Sequence, residues 1–136
     1  MDVVVLVARI LFAAIFVASG IGHLTATKAM AGYAQFKGVP AATFSTVASG
    51  VLMVVGALSV LLGVWGDLGS LLLAAAIVPI PFLMHAFWKE QGEAKMNEQV
   101  QFNKTLSLVG GALALFALFA LVPDLGLTIT GPLFEV

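Results

Sequence analysis

The chain has 136 residues, 61% hydrophobic and only 10% charged, whereas soluble domains are about 45–50% apolar and about 25% charged. This excludes an ordinary soluble enzyme and indicates a membrane protein. A net charge of −1 offers no basic face for nucleic acid and no polybasic patch for anionic lipid, and the absence of cysteine excludes disulfides, thiolate metal sites and dithiol chemistry within the polypeptide.

At ~20 residues per crossing, this length suits four spans in a single domain, residues 1–136. The first helix is expected over residues 3–24, "VVVLVARILFAAIFVASGIGHL", interrupted only by Arg9 and closed by Gly20, Gly22 and His23. Asp2 stands where a signal peptide would carry positive charge, so this run reads as a retained helix. Next, Met30, Tyr33, Ala34 and Phe36 recur near helical spacing between Lys28 and Lys37, the pattern of a short helix lying in the interface; Gly38 and Pro40 end it.

A second spanning helix is expected over residues 43–65, with small residues Ser49, Gly50, Gly56 and Gly63 for close packing. The tight "WGDLG" turn makes the third helix, residues 68–87, its antiparallel neighbour. Pro79 and Pro81 each remove a backbone donor, so a kink is expected near its end. Residues 88–101 carry Lys89, Glu90, Glu93, Lys95 and Glu98 and read as the main polar loop. A fourth helix follows over residues 105–122, then a short, partly extended tail.

The expected fold is thus all-α: an antiparallel bundle of four transmembrane helices with a short interfacial helix in the first loop. Lys28, Lys37, Lys89, Lys95 and Lys104 flank the first and third loops, which by the positive-inside rule places both termini on the non-cytoplasmic side.

This topology brings the C-terminal ends of the first and third helices to one face, together with the start of the fourth. His23, His85, Trp88, Glu90, Asn97, Asn103 and Lys104 can therefore gather at the cytoplasmic rim. Arg9 lies roughly 21 Å from His23 along a helix and belongs to the opposite face. It is either a snorkelling, topology-setting residue or a buried contact, with Asp2, Asp67 and Asp124 as candidate partners.

Three readings compete for the histidines. They can be interfacial caps that favour a helix C-terminus, beside a Trp88 membrane anchor. They can be axial ligands of a haem. They can line a quinone pocket in which histidine with lysine or asparagine binds carbonyl oxygens and Phe87, Trp88 and Phe102 wall the ring. No metal-ligand spacing, nucleophile elbow or phosphate loop occurs.

The segments "ARILFAAIFVASGIGHL", "GALSVLLGVWGDLGSLLL" and "HAFW", followed by a charged stretch and "FNKTLSLVGGALAL", resemble the DoxX family of small four-helix bacterial membrane proteins over nearly the whole length. The resemblance implies a multi-pass protein of the bacterial inner membrane that serves, at most, as a subunit of a quinone-linked oxidoreductase in thiosulfate or oxidative-stress chemistry. It implies functional positions at Arg9, His85, Phe87, Phe102 and Lys104. Relatives often carry a glutamate in the second helix, where Met53 stands here.

The expected ligands are membrane lipid and a quinone, with haem ranked behind it, held by His85, His23, Lys104, Trp88, Phe102 and Phe87. A protein partner in a redox complex, or a homo- or hetero-oligomer, is expected through residues 88–101. The alternative is a non-enzymatic scaffold whose Gly50, Gly56, Gly110 and Gly111 are packing surfaces.

Overall fold

Hydropathy marks out the helices, and the computed structural model, which describes residues 1–134, joins them in an up-down bundle. The helices are α1 (Asp2–Thr25), α2 (Thr27–Phe36), α3 (Ala42–Leu62), α4 (Gly66–Ile77), α5 (Pro79–Met84) and α6 (Gly92–Leu121), with a single 3₁₀ turn at Phe87–Lys89. Helix α1, helix α3, the α4–α5 pair and helix α6 are each apolar and long enough to cross a bilayer. Their outward faces carry Val3, Leu11, Val55 and Leu113 exposed, as expected where the surrounding solvent is lipid. The chain is an all-α, four-span membrane protein.

Each span packs on the next, α1 on α3, α3 on α4 and α4 on α6. Ala13, Phe16, Met53, Ala57, Val60, Leu73, Ile77, Ala112 and Phe119 fill the centre. Close approach depends on small residues. A Cβ on Gly56 would sit 2.9 Å from the Gly69 carbonyl oxygen, and one on Gly50 would sit 2.7 Å from the His23 Cβ. Gly111 is likewise crowded by Phe12, whereas a Cβ on Gly110 would meet no neighbour within 4 Å, so Gly110 packs no helix within this bundle.

The turn between α3 and α4 comes three residues earlier than expected, because Gly63 adopts φ 65° and stops α3 there. The Val64 amide closes back on the Ser59 carbonyl, a Schellman pattern. The Ser59 hydroxyl donates to the Val64 carbonyl at 2.6 Å. Trp65, also left-handed, donates its amide to Thr130 Oγ1 at 2.8 Å.

The kink expected in the third span appears as a break at Val78 between α4 and α5, since Pro79 and Pro81 cannot donate to the preceding turn. Against expectation, residues 92–101 are not a loop but the first turns of α6, which runs for 30 residues. Nothing after Gly92 breaks a helix, and Glu, Ala, Lys, Met and Gln all favour one. The charge in this stretch bars it from the hydrocarbon, not from helical structure. At about 45 Å, α6 exceeds a hydrocarbon core of about 30 Å, so its N-terminal turns project beyond the membrane.

The tail does not trail away. It folds across the end of the bundle opposite His23. Gly63 O accepts from the Ile129 and Thr130 amides, and buried Asp67 Oδ2 accepts from the Leu133 and Phe134 amides at 2.8 and 2.6 Å.

Candidate functional site

Arg9 belongs to that tail-covered end and is fully buried. Among the described residues it has no carboxylate partner: Asp67 binds the tail through Oδ2 while its buried Oδ1 has no partner, and the expected Asp2, Asp67 or Asp124 pairing is not formed. The guanidinium instead donates to three carbonyls, Val60 at 2.8 Å, Leu61 at 2.7 Å and Leu127 at 2.8 Å. Val60 and Leu61 lie in the last turn of α3, where carbonyls have no helical partner and carry partial negative charge. Arg9 therefore caps α3, and its charge centre lies 5.7 Å from the Phe119 ring centroid. It does not snorkel.

At the other end, α2, the start of α3 and α5 enclose a cavity of about 720 Å³. Met30, Tyr33, Ala76, Pro79, Ile80, Leu83 and Met84 supply most of its wall, and His23 and His85 both line it. His23 reaches it from the last turn of α1, where the absence of a side chain at Gly50 lets α1 lie against α3. Its Nδ1 is 2.9 Å from Ser49 Oγ and 3.2 Å from the Thr46 carbonyl oxygen. Ser49 Oγ also lies 3.0 Å from that carbonyl, so a proton on His23 Nδ1 would be shared between the hydroxyl and carbonyl oxygens.

His85 follows α5 directly, at the point where the proline-started helix ends. Its Nδ1 lies 2.7 Å from Glu98 Oε2. The other Glu98 oxygen accepts from Lys37 Nζ at 2.9 Å, and Glu90 stands 3.6 Å from the same ammonium. The hydrogen bond to Glu98 holds the Lys37 ammonium above the ordinary lysine range, against the opposite pull of burial. Three parts of the chain are thus fastened at the cavity edge: the end of α2, the end of α5 and the projecting start of α6.

The remaining expected site residues are distributed differently. Phe87, Trp88 and Phe102 do not line the cavity. With Phe82 they make a separate knot of edge-on rings, in which Phe102 lies 5.5, 5.3 and 5.8 Å from Phe82, Phe87 and Trp88. This knot pins the 3₁₀ turn to α6. Lys104 is exposed on α6 and outside the cavity wall, so it does not join the histidines there, and the group beside His85 is Glu98.

Glu98, Lys37, Tyr33, Thr46 and Ser49 are the polar residues that sequence reading missed. One signal for Glu98 was available: on a helix it shares a face with Phe102, four residues on, and both meet the segment that follows α5. Lys37 and Glu98 are 61 residues apart, and no local pattern links them.

The fold and cavity define a multi-pass membrane protein with a mainly apolar, histidine-bearing chamber at one membrane face. The DoxX family model matches residues 4–86, and the chain belongs to the DoxX family. The match spans α1 to the residue after His85 and stops short of α6. No curated protein and no solved structure matches the chain.

Proposed function

We propose that the protein is a redox-associated membrane subunit that holds a quinone-type ring or similar lipid-like head group between α2, α3 and α5. The observation that carries this reading is the cavity of about 720 Å³ with both histidines on its wall. That volume suits a drug-sized molecule, and an apolar wall with a few polar groups suits an amphiphile whose head is fixed while its body packs. Imidazole exchanges protons near neutral pH, as a site for proton-coupled redox ligands needs.

Exposed Trp88, with Lys89, Glu93 and Lys95 on the 3₁₀ turn and projecting helix, offers an oxidoreductase partner a water-facing platform. The lysine-rich face is the cytoplasmic one on this reading, in a bacterial inner membrane.

One observation favours a second reading. Met53 is buried in the core and α3 contains no Asp or Glu, so this helix supplies no carboxylate in mid-membrane. This favours a non-enzymatic accessory subunit whose chamber holds lipid.

An optical spectrum with analysis of extracted quinone, on detergent-purified wild type and His85→Ala, separates the two. Quinone near one per chain in wild type and at least several-fold less in the variant is the expected result. Neither quinone nor a Soret band in either sample sinks the redox reading and leaves the scaffold.

A further inference from the structure

The hydrogen bonds around the chamber determine what kind of head group it can hold. In His23, Nδ1 lies 3.2 Å from the Thr46 carbonyl oxygen, which only accepts, and 2.9 Å from Ser49 Oγ, which can accept, so the arrangement that uses both contacts is the one with the ring proton on Nδ1. In His85, Nδ1 faces a carboxylate oxygen whose sister oxygen is held by Lys37, so this ring proton is also on Nδ1. Each neutral ring is left with Nε2 as a bare acceptor, and neither Nε2 has a partner among the described residues.

The serine hydroxyls on the wall are committed as well: Ser45 donates to the Pro40 carbonyl at 2.8 Å and Ser49 to the Thr46 carbonyl at 3.0 Å. The Tyr33 hydroxyl helps to hold the Lys37 ammonium, and Thr46 Oγ1 has no partner among the described residues; each oxygen keeps a lone pair that can accept.

We propose that the chamber selects a ligand presenting hydroxyl donors on an apolar body, such as the reduced, diol form of a quinone, over one presenting carbonyl oxygens. This rests on the chamber being the ligand site. Two imidazole acceptors match two hydroxyls, whereas a dione would set lone pair against lone pair at both rings. Glu98 is a positioning residue: through Lys37 on one oxygen and His85 on the other, it dictates which nitrogen of His85 carries the proton. A ring diol and a glycerol lipid share this donor chemistry.

The test is equilibrium binding to the purified protein in mildly alkaline, oxygen-free buffer, where imidazole is neutral. The probes are decylubiquinol, decylubiquinone and monoolein. Decylubiquinol should bind about tenfold tighter than decylubiquinone, the worth of one or two net hydrogen bonds. Monoolein binding as well as the diol supports the donor chemistry and assigns it to a lipid hydroxyl.

Glu98→Gln supplies a readout that a purely structural role would not move. Lys37 keeps the amide oxygen, so the amide NH₂ turns to His85 Nδ1 and the ring proton shifts to Nε2. The diol preference should then fall to about parity, with the dione binding more tightly than it does to wild type. Decylubiquinone equal to or tighter than decylubiquinol in wild type overturns the selectivity while leaving a ring site in place. No binding of any probe overturns the selectivity and the ligand site together.

Discussion

A cation with no counter-ion inside an apolar bundle is costly unless its nitrogens are hydrogen-bonded, and each of the three Arg9 nitrogens donates to a carbonyl rather than a carboxylate. Its planar fork reaches two oxygens at the end of α3 and one in the tail. Arg9→Met would leave these carbonyls without their donor, and the variant should lose about 3 kcal/mol of stability. Arg9→Lys, with a compact ammonium in place of the fork, should recover only part of it. Thermal unfolding in detergent, followed by loss of helical signal, checks both; an unchanged transition in Arg9→Met would show that water replaces the guanidinium freely. Burial of the residue was one of two readings the sequence left open. The carbonyl partners were not legible, since backbone acceptors have no signature in a sequence and Leu127 lies 118 positions away.

At the level of elements, packing distance assigns different roles to glycines that look alike in the sequence. Gly50 sits where α1 meets α3, with no room for a methyl group beside His23, whereas Gly110 opens onto space. Gly50→Ala should therefore cost about 1–3 kcal/mol through overpacking and, on the proposed function, should lower co-purified quinone by moving His23. Gly110→Ala should leave stability unchanged or raise it by up to about 1 kcal/mol, because alanine is the better helix former. Thermal unfolding of the pair, with extracted ligand measured alongside, decides the matter; equal effects at both positions would mean that helix propensity and not close approach sets their role. The sequence located the spans well because hydropathy is a local property. It mistook the start of α6 for a loop because charge reports where a segment can lie, not whether its backbone is helical. That error hid Glu98.

Across the whole molecule the two ends of the bundle do different work. The Arg9 end is closed: the tail covers it, gives Leu127 O to Arg9 and ties its own amides to Gly63 and Asp67. The histidine end is hollow, with Lys37 and Glu98 joined at the edge of the chamber. If the closed end is one cooperative unit, deletion from Pro123 onward and Arg9→Met should not be additive. Their combined cost should fall short of the sum by at least about 0.5 kcal/mol, measured as a double-mutant cycle from unfolding midpoints. Strict additivity would show that tail and arginine stabilise the bundle independently.

By itself the sequence determined the solvent, the number of crossings, the interfacial helix and the meeting of His23 and His85 at one face, because these follow from hydropathy, helix length and the parity of crossings. Only the tertiary structure decided what surrounds each polar group: that Arg9 caps α3, that Glu98 and not Lys104 stands beside His85, and that the aromatic residues form a knot outside the chamber. The physical reason is range. Periodicity and composition act over a few turns, whereas a hydrogen bond between Lys37 and Glu98 depends on how separate helices are brought together in space.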